Sequence, residues 1–494
     1  LLAVRGCILL LTNPRQSMKL DTRKFFIGGK WVAPLQNKTL PVENPASEAE
    51  FAVISVAGAA DVDRAVAAAL GAQDQFGRTS IAERKVLLEA IHAVYSRRAT
   101  ELADVITQEL GAPIDLARDA QVAVGYGHLN AFGQALDGLR LSETLESGDV
   151  ILREPIGVTA LITPWNWPIH QVFLKVIAAF CAGCTVVLKP SEITPLNAMI
   201  LAEIFHEAGC PPGVFNLVNG DGVGTGDALV RHKDVAMVSF TGSTSAGVAV
   251  SVAAAQSVKK VALELGGKSP ALLFADANVD AALSSTLAKI FDNAGQNCNA
   301  PTRLLVERSI YDDVCAKAAD LARARRVDHP CNPGTFTGPV ANAKQFSHIQ
   351  EMIRSGLNEG ARLLAGGVGR PQGFEHGYFV RPTVFCDVSN DMEIARQEIF
   401  GPVLCILPFD TESDAVAIAN DTDFGLAAYV HSSDKERLAR LIPKLRAGMV
   451  FCNGADISFG SPFGGCKRSG VGREGGAIGI EEFMEVKLVA HTDA

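Results

Sequence analysis

Three residues in this chain carry reactive groups in unusual sequence settings. Cys298 lies between two asparagines in GQNCNA, whereas a packing cysteine typically sits among apolar neighbours because a free thiol behaves as a small hydrophobe. We therefore expect polar surroundings for this thiol. Glu264 ends the apolar run VALEL before two glycines, where a carboxylate needs a partner or a chemical task. Asn166 is held between tryptophans and prolines in TPWNWP, so its amide suits the stabilisation of a developing oxyanion.

Two other motifs follow strand-like runs and carry groups that suit a nucleotide. In FTGSTSAG, Ser243 and the free N–H groups of a helix start can face a pyrophosphate, although turn chemistry alone also explains the segment. In KPSE, Lys189 and Glu192 can bind ribose hydroxyls, and the carboxylate would repel a 2′-phosphate. This motif favours NAD over NADP, while a solvated strand end explains it equally well when it is taken alone.

Cys181 and Cys184 form the spacing C-x-x-C, which can be a redox pair. They lie at the apolar end of a predicted helix, so we expect two small buried residues that pack there. There is no second C-x-x-C and no histidine cluster nearby in the sequence to support zinc, and we predict no metal site.

The segments around these motifs alternate between short apolar strands and amphipathic helices. From residue 151 the strands are VTALITPW, TVVLKPS, GVFNLVNG and VAMVSFTGS, with helices such as PIHQVFLKVIAAFCAG between them. This alternation predicts parallel β-α-β units in a Rossmann-like, doubly wound α/β sheet, whose ligands lie at the carboxyl ends of the strands. TPWNWP, KPSE, NGDGVG and FTGSTSAG all fall at those ends.

The remaining segments extend this architecture to a chain of two or three domains. Amphipathic helices are predicted between residues 60 and 110, with Asp61 or Asp63 as the cap of the first. Two alternating polar–apolar segments read as exposed strands that pair across subunits. The predicted organisation is a cofactor domain at 18–135 and 154–265, a catalytic α/β domain at 266–455, a small β oligomerisation element at 136–153 and 482–494, and a return segment at 456–481.

The composition of this 494-residue chain excludes several classes of function. Its formal net charge of −9 argues against nucleic acid or an anionic membrane as a partner. Eleven scattered cysteines indicate a reducing compartment, so we predict a cytoplasmic protein. No run reaches the ~18 apolar residues of a membrane helix. Residues 1–17 lack a clear signal-peptide pattern and are read as a disordered upstream extension before Met18.

Seven motifs occur in an order that is typical of one enzyme family. They are TPWNWP, KPSE, FTGST, ELGGKSP, GQNCNA, EIFGPV and PFGGCKRSGVGREGG. Together they make the chain, over about residues 20–490, resemble the NAD(P)-dependent aldehyde dehydrogenase superfamily. Any one motif is weak, whereas seven in order are highly specific. The resemblance implies that Cys298 is the nucleophile, Glu264 the general base and Asn166 part of the oxyanion hole.

The same resemblance implies a site for NAD and for an apolar aldehyde. Gln345 and His348 match a family glutamine–lysine pair near the nicotinamide ribose, and the histidine departs from the family pattern. Trp167 and Phe463 are implied to line the substrate tunnel. The implied cofactor-binding residues are Ile162, Thr163, Pro164, Trp165, Lys189, Ser191, Glu192, Gly222, Gly226, Phe240, Thr241, Gly242, Ser243, Leu265, Gly266, Glu398 and Phe400.

The predicted reaction is NAD-dependent oxidation of an aliphatic or aromatic aldehyde to the carboxylic acid, through a thiohemiacetal and a thioester on Cys298. One alternative is a CoA-acylating semialdehyde dehydrogenase, but that branch generally lacks a glutamate at the position of Glu264. Another is a catalytically inactive binding protein of the same fold, although the nucleophile and the base are both present. The resemblance also implies a homodimer or homotetramer.

Overall fold

The computed structural model describes residues 20–490, which form two large α/β sheets with helices on their faces. Residues 1–17, predicted to be an upstream extension, lie outside the described residues. The predicted Rossmann-like α/β arrangement is confirmed, because the central strands of both sheets run parallel and helices connect them. No helix within residues 20–490 is long and apolar enough to cross a membrane.

The first sheet has eight strands, of which five in the centre run parallel. The strand order reverses between Thr159–Ile162 and Met237–Thr241, because the chain adds strands first on one side and then on the other. A doubly wound sheet opens a ligand crevice at such a switch point. In sheet order the strands are Gly470–Val471, Lys260–Glu264, Met237–Thr241, Thr159–Ile162, Val186–Lys189, Phe215–Leu217, Phe25–Ile27 and Lys30–Val32.

The helices around this sheet follow the sequence pattern. Pro168–Ala182 is largely apolar and buried, and it ends at Gly183, whose φ of 87° suits a residue without a side chain. Asp61, the third residue of the first helix, accepts the backbone N–H of Gly58, which precedes the helix, so the cap acts from inside the first turn. The other main helices here are Ala59–Gly77, Ile81–Leu110, Ala123–Gly138, Leu196–Glu207, Asp227–Arg231, Thr244–Ala255 and Gly476–Glu481.

The second sheet has seven strands, all parallel except the one at its first edge. Its strands, in sheet order, are Arg362–Ala365, Thr383–Cys386, Val403–Phe409, Arg303–Glu307, Pro270–Leu273, Ala427–His431 and Met449–Cys452. The helices that cover it are Val279–Phe291, Tyr311–Ala324, Ala343–Asn358, Glu393–Arg396, Glu412–Asn420 and Lys435–Leu441. Apolar clusters fill the space on both faces of this sheet.

A third, antiparallel sheet joins Ser142–Thr144, Val150–Pro155 and Met484–Val489. Its limits differ from the predicted ones, because residues 136–138 belong to a helix and the middle strand continues to residue 155. Val486 and Leu488 on the edge strand are 67% and 63% exposed. An exposed apolar edge strand can pair with another chain, and oligomerisation through it stays a prediction. Thr39–Asn44 and Ala49–Ser55 form a separate two-stranded sheet.

Candidate active site

The loop that carries Cys298 is fixed by strained backbone and by one buried glutamine. Asn293 and Ala294 take left-handed backbone angles, with φ of 51° and 54°. Gln296 donates from Nε2 to the carbonyl of Asn293 at 2.9 Å and accepts the N–H of Ala341 at 2.8 Å. Residues with side chains rarely adopt such angles, so the surrounding contacts impose the shape of this loop.

Asn166 lies against this loop through its side chain and its backbone. Its Nδ2 donates to the carbonyl of Gln296 at 2.9 Å, and its own backbone carbonyl accepts from Nδ2 of Asn293 at 2.8 Å. Gln121 donates to the Asn293 side chain at 3.1 Å and completes a buried amide network that the sequence motifs did not reveal. Because an amide nitrogen carries two hydrogens, one hydrogen of Asn166 remains for a substrate oxygen.

Glu264 is the last residue of its strand, and its side chain is almost completely buried. Neither carboxyl oxygen has a hydrogen-bond partner within residues 20–490. Burial raises the pKa of this carboxyl well above its usual value; the negative charge of Glu474 adds to the rise, while Lys175 and Arg473 oppose it. Gly464 packs so closely that a β-carbon there would collide with Oε1 of Glu264. A buried carboxyl of raised pKa with free oxygens is typical of a general base.

A buried ion pair, which sequence reasoning missed, stands beside Glu264. Lys175 belongs to a largely apolar helix and pairs with Glu474 from the C-terminal segment. Lys175 also donates to Oγ of Ser239 at 3.1 Å. The sequence held one signal for this pair, which is a lysine within a largely apolar helix. A buried charge needs a partner, so this lysine predicts an ion pair. The partner lies 299 residues away, and no local pattern identifies it.

The predicted polar surroundings of Cys298 are wrong, because its side chain is half-buried and packs against an apolar cluster. The neighbouring asparagines serve the loop instead. Asn297 donates from Nδ2 to the carbonyl of Lys289 at 3.0 Å, and the carbonyl of Asn299 accepts the hydroxyl of Tyr429 at 3.0 Å. Polar neighbours in sequence therefore do not make the thiol's spatial neighbours polar.

The electrostatic setting of Cys298 disfavours its thiolate. Burial raises the pKa of the thiol, and the charges of Glu398 and Glu264 raise it further. The backbone brings the two segments together, because Gly267, three residues after Glu264, packs against the carbonyl of Cys298. A protonated thiol reacts slowly, so this cysteine needs a base or a nearby positive charge in order to attack.

The two glycines of ELGGKSP bring Glu398 close to the nucleophile loop. Oε1 of Glu398 accepts the backbone N–H of Gly267 at 3.1 Å, and a β-carbon on Gly266 would collide with the same carboxyl. A β-carbon on Gly267 would meet the carbonyl of Cys298. Burial raises the pKa of Glu398 to about 7, while the N–H of Gly267 and the charge of Lys268 act in the opposite direction.

Phe400 and Trp165 meet edge to face, with ring centroids 5.4 Å apart. Gln345 donates to the carbonyl of Phe400 at 2.9 Å, and a ring nitrogen of His348 lies 3.2 Å from the carbonyl of Glu398. The predicted Gln345–His348 pair thus supports the backbone of the 398–400 segment in this structure.

Predicted cofactor residues lie at the carboxyl ends of the strand Thr159–Ile162 and of its two neighbours. Ile162 is in register with Phe240 on one side and with Lys189 on the other. Thr241 follows Phe240, and its buried hydroxyl has no hydrogen-bond partner within residues 20–490. An unpaired buried hydroxyl at the crevice is available to a ligand. Thr163, Pro164, Gly242 and Leu265 continue the same strand ends.

Lys189 and Glu192 interact with each other in the KPSE turn. Nζ of Lys189 donates to Glu192 at 3.3 Å and to the carbonyl of Pro190 at 3.0 Å. Burial lowers the pKa of Lys189, and the charge of Glu192 opposes this effect. The side chain of Glu192 is 39% exposed, so a carboxylate remains accessible at this strand end. The hydroxyl of Ser191 accepts a backbone N–H within the turn.

Ser243 caps the following helix, since its Oγ accepts the N–H of Ala246 at 3.3 Å. Its hydroxyl is therefore engaged locally, although the other N–H groups of the helix start still face outward from the helix end. Gly222 and Gly226 bound a short π-helical turn, and Asp221 caps this turn. The turn follows the strand Phe215–Leu217, at the same edge of the sheet.

Trp167 and Phe463 border the nucleophile loop from two directions. Nε1 of Trp167 donates to the side chain of Asn297. Phe463 belongs to the apolar cluster on which Cys298 packs, and its backbone exchanges two hydrogen bonds with that of Glu474. An apolar wall therefore adjoins the thiol.

Comparisons with known proteins found matches along nearly the whole described chain. A sequence profile of the Aldehyde dehydrogenase family matches residues 31–489. A 3-succinoylsemialdehyde-pyridine dehydrogenase from a Pseudomonas species is 48% identical over 470 residues, which cover 95% of this chain and 98% of that protein. An aldehyde dehydrogenase structure from Bartonella henselae gives a TM-score of 0.94 at 48% identity, covering 95% of this chain and 99% of that one. A mutant of aldehyde dehydrogenase C from Pseudomonas syringae, crystallised with NAD+ and octanal, gives 0.95 at 47% identity, covering 97% and 100%.

Proposed function

Because the chain belongs to the aldehyde dehydrogenase family, we propose that it oxidises an aldehyde to the carboxylic acid with NAD, through a thioester on Cys298. The observation that carries this proposal is the meeting of three groups from distant parts of the sequence. Asn166 bonds to the loop of Cys298, and the segment that follows Glu264 packs through Gly267 against the carbonyl of Cys298. Together they supply an oxyanion donor, a nucleophile and a base.

In the first half-reaction the sulfur of Cys298 bonds to the aldehyde carbon while the thiol proton passes to a base. The carbonyl oxygen becomes an oxyanion, which the free amide hydrogen of Asn166 and the backbone N–H of Cys298 can hold. Glu264 accepts a proton only when it is ionised, and the positive charge of Lys175 favours that form.

The crevice at the switch point fits a dinucleotide. Thr241 offers an unpaired buried hydroxyl, the helix start after Ser243 offers N–H groups, and Glu192 presents a carboxylate suited to ribose hydroxyls. NAD held in this crevice would supply the hydride acceptor for the C–H bond of the thiohemiacetal, whose oxidation would leave a thioester on Cys298. The Pseudomonas syringae relative crystallised with NAD+ supports this assignment.

In the second half-reaction Glu264 takes a proton from water, and the water oxygen attacks the thioester carbon. The sulfur of Cys298 then leaves as a thiolate, and the carboxylic acid is released. The free oxygens of Glu264 support this role, because no described residue forms a hydrogen bond with them.

The substrate is proposed to be an apolar aldehyde, aliphatic or aromatic. Trp167 and Phe463 border the site, and Cys298 packs among apolar side chains. The Pseudomonas syringae relative was crystallised with octanal. The relative from another Pseudomonas, the 3-succinoylsemialdehyde-pyridine dehydrogenase, is named for a pyridine semialdehyde. These two relatives together span aliphatic and aromatic tails.

Two alternatives have less support. A CoA-acylating enzyme has no use for a hydrolytic base, yet Glu264 is present with free carboxyl oxygens. An inactive binding protein does not require a nucleophile and a base at one place, yet Cys298 and Glu264 are within electrostatic reach of each other.

The proposal extends to assembly and location. We propose a homodimer or homotetramer that pairs through the exposed edge Met484–Val489. The two large sheets support a cofactor domain at 18–135 and 154–265 and a catalytic domain at 266–455. Free cysteines such as Cys452 and Cys466 support a cytoplasmic location.

The test is NADH formation from octanal and benzaldehyde by the purified protein, with and without CoA. Wild type should produce NADH and free acid without CoA, and Cys298→Ala should produce none while it still binds NAD by calorimetry. Cys452→Ala is the matched control and should retain activity. A strict need for CoA would support the acylating alternative, and the absence of NADH with every aldehyde would support the inactive one.

A further inference from the structure

Two histidines from neighbouring helices form a hydrogen-bonded pair that the proposed chemistry does not use. His128 lies in Ala123–Gly138 and His170 in Pro168–Ala182. Nε2 of His128 is 2.8 Å from Nδ1 of His170. The pair is unequal, because His128 is 4% exposed whereas His170 keeps accessible surface.

These histidines stand in a row of rings that leads from the surface to the candidate site. Phe459 is 54% exposed, and its ring centroid is 5.4 Å from that of His128. The His128 and His170 centroids are 4.8 Å apart, and that of Phe463 follows at 6.1 Å from His170. Phe463 belongs to the cluster on which Cys298 packs. The row of rings therefore connects His170, through Phe463, to the cluster on which Cys298 packs.

His170 is also near the reacting centre in sequence, and its ring neighbour Phe463 adjoins that centre in space. It lies four residues after Asn166, at the start of the helix that carries Lys175. Phe463 precedes Gly464, which packs on the Glu264 carboxyl. An aldehyde at Cys298 whose tail runs past Phe463 would bring that tail to His170.

The protonation of the pair follows from burial. In one arrangement His128 donates from Nε2, and Nε2 of His170 then carries the remaining hydrogen. In the other, His170 donates from Nδ1, and the remaining hydrogen lies on Nδ1 of His128. His128 is 4% exposed whereas His170 keeps accessible surface, so solvent or a ligand can supply an acceptor more readily at His170. The first arrangement is therefore favoured, and it leaves a free N–H on His170.

Both rings are neutral in this setting. Burial and the charge of Lys175 lower the pKa of His170 to about 4, and burial lowers the pKa of His128 well below its usual value. A neutral N–H binds a neutral acceptor such as a carbonyl oxygen or a ring nitrogen. It does not neutralise a carboxylate, so an acidic tail gains little from this pair.

We propose that the Nε2–H of His170 is a specificity-determining donor, which binds a hydrogen-bond acceptor in the tail of the aldehyde substrate. The preferred substrates are then aldehydes with an aromatic or acyl tail that carries a neutral acceptor, rather than plain alkanals. His128 is a positioning residue, because it holds the tautomer of His170. This inference rests on the proposed aldehyde oxidation.

The experiment compares substrates of nearly the same shape that differ in the acceptor. The pairs are 4-acetylbenzaldehyde with 4-isopropylbenzaldehyde, and 3-acetylbenzaldehyde with 3-isopropylbenzaldehyde. For each enzyme the ratio of kcat/KM within a pair is measured, and the ratio for wild type is divided by that for the variant. This double ratio cancels the intrinsic reactivity that the acetyl group confers on the aldehyde.

His170→Leu should lower the acetyl preference about tenfold in at least one pair, the effect of one neutral hydrogen bond. His170→Gln keeps an N–H donor and should retain part of the preference, which also covers the case in which the leucine variant fails to fold. His128→Phe should lower the preference less than His170→Leu. His92→Leu, a half-buried histidine that packs on Tyr126, is the matched control and should leave the ratio unchanged.

An unchanged ratio in His170→Leu, with all four aldehydes oxidised, would overturn the role of His170 and leave the proposed function intact. An equal fall in His92→Leu would overturn it too, because the change would then be a general effect of losing a histidine. Failure of wild type to oxidise any aldehyde would instead overturn the proposed function, and this inference with it.

Discussion

Lys175 and Glu474 form a buried ion pair beside Glu264, although 299 residues separate them in the sequence. The charge of Glu474 raises the pKa of the Glu264 carboxyl, and the charge of Lys175 lowers it. The pair therefore sets how readily the candidate base accepts a proton.

Glu474→Gln should shift the rising limb of the kcat–pH profile to lower pH. One negative neighbour is lost while Lys175 stays positive, so the pKa of Glu264 falls and its ionised form persists at lower pH. The same change leaves a buried cation without its ion partner, which costs about 3–5 kcal/mol of folding free energy. Thermal unfolding measures this cost. Glu482→Gln, which removes a weaker neighbouring charge, is the control, and a shift of the Glu474→Gln profile to higher pH would contradict the assignment.

Glu264→Gln should separate the two half-reactions. The amide cannot activate water, whereas the thiol and the oxyanion donors are retained. Rapid mixing with aldehyde and NAD should give a burst of up to one NADH per site, followed by very slow turnover. Intact-mass spectrometry should then find an acyl adduct on Cys298. A variant without burst or adduct would show that Glu264 is already needed for the attack by the thiol.

Asn166→Ala should slow the formation of the adduct itself. Loss of one oxyanion donor costs about 10²–10³ in rate, so the NADH burst should disappear while NAD binding persists. The Asn166 side chain also bonds to the Gln296 carbonyl. Asn166→Asp keeps the size but donates to neither oxygen, so it separates the loss of the donor from the loss of side-chain volume. A normal burst in Asn166→Ala would exclude its side chain from the oxyanion hole.

Glu192→Gln should relax the preference for NAD over NADP. The wild-type carboxylate is accessible at the strand end and repels a 2′-phosphate, whereas an amide does not. The ratio of kcat/KM for the two cofactors measures the change. A wild-type enzyme that uses NADP as well as NAD would refute the role assigned to this carboxylate.

Leu488→Lys together with Val486→Lys should shift the protein towards smaller assemblies. Both side chains are exposed on an edge strand, and charges there oppose pairing of strand edges between subunits. Light scattering at several concentrations measures the mass. Val258→Lys alters another highly exposed valine and should leave the mass unchanged. A monomeric wild type with full activity would contradict assembly through this edge.

The sequence by itself determined the architecture and the identity of the reactive groups. Strands and helices were predictable because apolar periodicity and local signals such as Gly183 act over a few residues. The strand ends then placed KPSE and FTGST along one edge of the sheet, since parallel strands share one carboxyl edge. The order of the motifs identified Cys298, Glu264 and Asn166 as candidates without any knowledge of their distances.

Only the tertiary structure decided how these groups are set. The polar neighbours of Cys298 in the sequence predicted polar surroundings, yet the folded chain packs the thiol against apolar side chains that come from other segments. Glu474 and Lys175 meet across the chain, as do His128 and His170, because the paths of helices and loops bring them together. Burial and charge depend on all neighbours in space, so the pKa of Glu264 is a property of the packed core and not of the motif that contains it.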